Sequence, residues 1–178
     1  MNTQLSEATV RQRLASYKDP TVTDELYGFG QALVHDAIDR LSKSDTKAGA
    51  MAAYNGALLA LLASTASIWT VHLHSWQRIS PILAVACLFF AAMFAISSIG
   101  TRKTDWHSSN EWMKEECLTS GERLRRYHVL TMWGAYGSLN SAYSDKMRDL
   151  KRSEWLTLAS WLFLVITFLQ ITMSTPAF

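Results

Sequence analysis

The chain has 178 residues, 49% of them hydrophobic and 18% charged, and a formal net charge of +2. That length admits one domain, or one membrane unit with a soluble appendage, and the nearly balanced charge gives no ground for a nucleic-acid partner. Two cysteines, Cys87 in an apolar run and Cys117 in a polar stretch, imply no disulfide framework.

Residues 1–23 form a polar N-terminal segment with scattered apolar positions (Leu5, Val10, Leu14), compatible with a short helix that Pro20 interrupts. The first 47 residues show no secretory signal pattern, so the first membrane helix is expected to serve as its own insertion signal. Thr21 and Thr23 offer hydroxyl N-caps and Asp24 an early acidic residue. A cytoplasmic amphipathic helix is therefore predicted over 24–47, with Leu26, Phe29, Leu33, Ile38 and Leu41 on its inward face and Asp36, Asp39 and Arg40 elsewhere. Gly28 and Gly30 loosen its first turns, at about 1 kcal/mol each relative to Ala. The helix is expected to continue through Lys47 without a break.

From Ala48 to Leu73 no charged side chain occurs. A hydrocarbon core about 30 Å thick needs roughly 20 such residues, so 48–73 is predicted to be a first transmembrane helix. Gly49, Ala53, Gly56 and Ala60 share one face of it, and small residues let helices approach closely in lipid. That face is expected to pack on another membrane helix, within the chain or between copies. Asn55, about a third of a turn away, calls for an interhelical hydrogen bond or, alternatively, lines a pore.

His72, His74, Trp76 and Arg78 follow in a short outer loop, where Trp69 and Trp76 suit an interfacial aromatic belt. His72-x-His74 has no third ligand near it, so no metal site is expected. A second span is predicted over 81–100, anchored by Arg102 and Lys103. Residues 102–152 read as a cytoplasmic helical hairpin turning near Ser120-Gly121. Its stripe of Cys117, Leu118, Leu124, Tyr127, Leu130, Trp133, Tyr136, Leu139, Tyr143, Met147 and Leu150 is expected to pack on the 24–47 helix. Its Lys146–Arg152 end leads into a third span, 155–174.

Lys and Arg set the orientation. Six lie in 1–47, one between the first two apolar runs, ten from Arg102 to Arg152, and none after the third run. Positive charge stays inside, which predicts a cytoplasmic N-terminus and both long polar segments cytoplasmic, with the C-terminus outside. The expected fold is an all-α membrane protein with three transmembrane helices. Its cytoplasmic helical bundle would be formed by extended membrane helices and the hairpin.

No catalytic constellation is visible, and an enzyme is not expected. His35-Asp36 stands alone, and His107, Cys117 and His128 lack zinc-site spacing. There is no Gly-rich phosphate loop or nucleophile elbow. Arg123, Arg125 and Arg126, with Tyr127 and Trp133 close by, could give cations and a stacking surface to a nucleotide. The plainer reading is a basic face beside anionic lipid. Arg40, Lys43 and Lys47 would extend either one into a basic collar.

Ser44-Asp45-Thr46-Lys47-Ala48, then Tyr54-Asn55-Gly56 and an aliphatic run, resembles the opening helix of the Pycsar effector transmembrane family. So does the order of parts from about Tyr27 onward: two spans, a helical hairpin, then a span led by Ser144-Asp145-Lys146. The positions matching the motif are Asp45, Lys47, Asn55 and Gly56. The resemblance implies a bacterial anti-phage effector in the inner membrane, with a partner pyrimidine nucleotide cyclase whose product, a cyclic nucleotide (cUMP or cCMP), triggers a homo-oligomer to impair the bilayer. No cyclic-nucleotide domain is recognisable, so sensing would fall to the cytoplasmic helices or to a partner. The other class of reading is a constitutive membrane scaffold that recruits a cytosolic partner through the aromatic stripe. A dedicated ion channel lacks a filter motif or acidic ring.

Overall fold

A computed structural model describes residues 6–16, 20–67, 76–100 and 120–174. Within them every regular element is a helix: α1 (Glu7–Ser16), α2 (Pro20–Ser64), α3 (Ile79–Ile99) and α4 (Gly121–Ser174). Trp69, the His72/His74 pair, residues 68–73 of the first expected span, Arg102, Lys103, His107, and the first arm of the hairpin with Cys117 and Leu118 lie outside the described residues.

Local chemistry accounts for the helix starts. Ser6 caps α1, its Oγ accepting from the Thr9 amide at 3.3 Å. Pro20 opens α2 instead of only interrupting what precedes it, since the first turn of a helix has no use for the missing N–H. Ser120 caps α4, its Oγ accepting from the Arg123 amide at 3.2 Å, at the place where the sequence predicts a turn. Once started, α2 runs for 45 residues and α4 for 54, each through both its charged and its apolar portion without a break.

The chain divides into two compact units, Met1–Ser42 with Arg102–Ser144 and Lys43–Thr101 with Asp145–Phe178. In the first, α2 and α4 lie parallel, with Asp24 against Arg125, Tyr27 against His128 and Gly30 against Met132. The inward positions on α2 are Thr23, at 3% exposure, and Ala37, at 5%, each seven residues from Gly30. The expected stripe faces the other way: Phe29 is 63% exposed, Ile38 43% and Leu26 36%, while Leu33 and Leu41 are half-buried. Close helix approach explains the reversal, because a line of small residues lets the two backbones come together where Leu and Phe would hold them apart. On α4 the buried positions are Val129, Leu139 and Ala142; Leu124, Tyr127, Leu130, Trp133, Tyr136 and Tyr143 are only half-buried.

Gly30 and Gly28 show the geometry directly. A Cβ on Gly30 would meet Met132 Sδ at 3.1 Å, whereas one on Gly28 would meet nothing within 4 Å. Gly28→Ala is therefore expected to raise stability by about 1 kcal/mol, the full helix-propensity difference, read as an upward shift of the thermal unfolding midpoint in detergent. Gly30→Ala should gain less, because the methionine must move.

The second unit is a three-helix arrangement. α2 and α4 are parallel, through Asp45–Lys146, Lys47–Glu154, Asn55–Thr157 and Tyr54–Trp161. α3 runs antiparallel to α4, with the Ser153 hydroxyl donating to the Ala91 carbonyl at 2.8 Å and Ser80 meeting Thr167 at 3.0 Å. The inward face of α3 is Pro81, Ala84, Leu88, Ala91, Ala95 and Ser98, at alternating spacings of three and four. That 3.5-residue period is the mark of coiled-coil packing.

Among the described residues two helices, α3 and α4, are long and apolar enough to cross a membrane, where the sequence predicts three spans. The described part of the first expected span, which contains Gly49, Tyr54, Asn55, Gly56 and Ser64, is not one of the two, and residues 68–73 lie outside the described residues. Only 11% of the apolar window of α4 and 28% of that of α3 is buried, far from the mostly buried core helix of a soluble protein. Outward-facing residues include Phe89, Phe90, Met93, Ile96, Trp155, Leu158, Leu162, Val165 and Phe168. The small-residue face of α2 does not pack within the chain. Ala53, Gly56 and Ala60 are exposed and Gly49 half-buried, and Gly49 and Gly56 have open space where a Cβ would go. The face that packs is instead Ser44, Ala48, Asn55 and Leu62.

Candidate functional site

The sequence points to two sets of residues, a basic group and a motif, and the structure treats them differently. In the first unit, Arg123, Arg125, Arg126 and Tyr127 occupy the opening turns of α4, and Trp133 follows nearly two turns on. Arg125 pairs with Asp24 of α2, both about half exposed. Arg126 pairs with Glu122 one turn back, and Arg40 on α2 with Asp36 in the same i, i+4 fashion. The hydrogen bond and the charge of Asp36 hold the Arg40 guanidinium above its ordinary pKa, with small additions from Tyr136 and Tyr143. Arg40 thus stays cationic throughout the physiological range. Lys43 is exposed and belongs to the second unit.

The arginines still have an electrostatic logic. The first amides of a helix and its dipole carry partial positive charge, and three arginines sit on the same turns of α4 against a single Glu122. The carboxylates of Glu122 and Asp24 offset part of that excess. Tyr127 and Trp133 are half-buried.

In the second unit the motif residues do meet partners. Asp45 binds Lys146, whose side chain is only 8% exposed, and Lys47 binds Glu154 with both side chains well exposed. Each acid of one helix thus answers a lysine of the other. Asn55 is fully buried, with its Oδ1 3.1 Å from Thr157 Oγ1. Gly56, its neighbour, faces outward.

Lys146 and Glu154, as the partners of Asp45 and Lys47, could not be read from the chain, because the pairs are 101 and 107 residues apart. Ser153, Thr157, Ser160 and Thr167 were also missed as interior groups. A signal for them existed: Lys146, Ser153, Ser160 and Thr167 recur every seven residues through a charged and then an apolar stretch. Among the described residues, no group of His, Cys, Asp or Glu is placed to hold a metal ion.

No curated protein and no solved structure matches the chain. A family model does, from residue 29 to residue 172, a stretch that takes in the motif, α3 and nearly all of α4. The chain belongs to the Pycsar effector protein domain family.

Proposed function

We propose that this protein is a membrane effector of anti-phage defence. On this reading a partner cyclase makes a cyclic pyrimidine mononucleotide, cUMP or cCMP, the effector self-associates in response, and the inner membrane loses its integrity, so that the cell stops growing. The protein does no catalysis of its own. The observation that carries the reading, beside family membership, is the distribution of the second unit: most large apolar side chains outward, and small and polar ones inward beside Leu62, Leu88 and Leu150. Such a surface suits hydrocarbon, which rewards no apolar burial between helices and leaves packing and hydrogen bonds to hold them.

Charge and pairing support the following membrane topology. α3 and α4 cross on their own composition, and α2 crosses beside α4, to which Asn55 and Tyr54 tie it. The N-terminus and residues 102–152 are then cytoplasmic and the C-terminus periplasmic. Arg123, Arg125 and Arg126 at the start of α4 provide the nucleotide's phosphate with cations, and Tyr127 and Trp133 provide the base with a stacking surface. Self-association uses the face of Gly49, Ala53, Gly56 and Ala60, of which the last three are exposed and the two glycines have open space where a Cβ would go. A ligand that drives this change must bind the associated form more tightly than the resting one.

The test is inner-membrane depolarisation in bacteria producing the protein with and without an active pyrimidine cyclase. Depolarisation only with the cyclase is the expected result. Equal depolarisation in both conditions would remove the trigger, and none in either would favour the scaffold reading, for which exposed Leu26 and Phe29 supply a docking face. The Arg123→Ala/Arg126→Ala variant is expected to lose cyclase-dependent toxicity; full retention would clear these arginines of sensing.

A further inference from the structure

The interior of the second unit is more polar than its surface. On α4 every seventh residue from Lys146 through Ser153 and Ser160 to Thr167 is buried, at 6%, 0%, 0% and 4% exposure, and none is apolar. α2 adds buried Ser44 and Asn55, and α3 adds Ser80 and Ser98. Most of these groups are satisfied within the protein. Ser98 donates to the Ala95 carbonyl at 2.7 Å, Ser153 to the Ala91 carbonyl, and Ser80 reaches both Thr167 and Gln170.

Two are not. Asn55 Nδ2 and Ser160 Oγ are buried with no hydrogen-bond partner, although both residues are fully buried. Thr157 relieves Asn55 only in part. Its hydroxyl has one proton and lies 3.1 Å from Asn55 Oδ1 and 2.9 Å from the Ser153 carbonyl. Whichever way round the amide sits, one of its polar atoms stays unpaired. Ser160 follows Thr157 by three residues, on the same side of α4. Unpaired polar atoms at membrane depth cost several kcal/mol in a dry core, and water is the smallest occupant that would satisfy them.

We infer that the line Lys146–Ser153–Ser160–Thr167, with Asn55 and Thr157 beside it, is a hydration path through the second unit, along which water and small ions cross when its helices part. The inference rests on the membrane-effector reading and locates the leak that reading requires. Hydroxyl and amide oxygens stand in for the ion's hydration shell at successive turns, and no ring of like charge imposes selectivity. Lys146, held by Asp45, is the one charged residue buried among the described residues. With Leu62, Leu88 and Leu150 and the alanines Ala48, Ala84, Ala91 and Ala95 filling the rest of the interior, the path is closed at rest.

A cysteine series decides the matter, made in a Cys87→Ser, Cys117→Ser background and labelled in whole cells with a membrane-impermeant methanethiosulfonate, with and without an active pyrimidine cyclase. Ser153→Cys, Ser160→Cys and Thr167→Cys are compared with the outward-facing Leu158→Cys, Leu162→Cys and Val165→Cys. Thiols react as thiolates, which form in water and not in hydrocarbon, so the seven-residue series is expected to label at least about tenfold faster with the cyclase present. Seam thiols as inert as the outward ones in both conditions would overturn the path. Asn55→Leu/Ser160→Ala is expected to insert normally and lose depolarisation; unchanged depolarisation would also overturn it. If the unsubstituted protein never depolarises the membrane, the functional reading fails, and the labelling pattern still judges the path.

Discussion

Asp45→Leu is expected to destabilise the second unit by about 3 kcal/mol, at the lower end of what breaking a buried ion pair costs, because Asp45 itself remains 41% exposed. The penalty lies with Lys146. Its side chain is 8% exposed, and a stranded ammonium in that position has neither a carboxylate nor enough water. The same argument gives the control. Lys47→Ala removes a pair whose side chains are 52% and 40% exposed, and should cost about 0–1 kcal/mol. Adding Lys146→Met to Asp45→Leu should recover most of the loss, since removing both charges leaves nothing unpaired. Thermal midpoints of the four proteins in detergent check the series. A loss for Asp45→Leu no larger than for Lys47→Ala would mean that the lysine stem reaches water by itself.

Ser153→Leu is the second large effect. Ser153 is fully buried, and its hydroxyl donates to the Ala91 carbonyl of α3, itself a fully buried position. A leucine has no room there without driving α3 from α4. Overpacking of this kind costs about 1–3 kcal/mol or more. Ser153→Ala keeps the fit and loses only the hydrogen bond, which in membrane proteins averages about 0.6 kcal/mol. The expected order of stability is therefore wild type, then Ala closely, then Leu far below, measured by thermal unfolding or by resistance to protease in detergent. Near-equal Ala and Leu variants would show that the α3–α4 approach is looser than the hydrogen bond implies. Since the path through this unit depends on close small-residue packing when closed, Ser153→Leu is also expected to leak without the cyclase.

What the sequence determined by itself is the helical character of the chain, the apolar runs of α3 and α4, and the family. Those are matters of composition and local order: charge-free length for a span, a turn near Ser120-Gly121, and a short motif around Asp45. The tertiary structure decided which faces are inside. Periodicity places Leu26, Phe29 and Ile38 on the inner face of α2 because apolar means buried in water, and the structure turns them out. It also turns out Ala53, Gly56 and Ala60, while Asn55, read as lying off the packing face, proves to be at its centre. The reason is physical. Along helices this close, position in a seven-residue repeat admits small side chains to the interior whatever their polarity, beside leucines such as Leu88 and Leu150, and hydrocarbon around the second unit would remove the penalty for apolar ones outside. The partners of Asp45, Lys47 and Asn55 are more than a hundred residues away along the chain, so only the parallel pairing of α2 with α4 could name them.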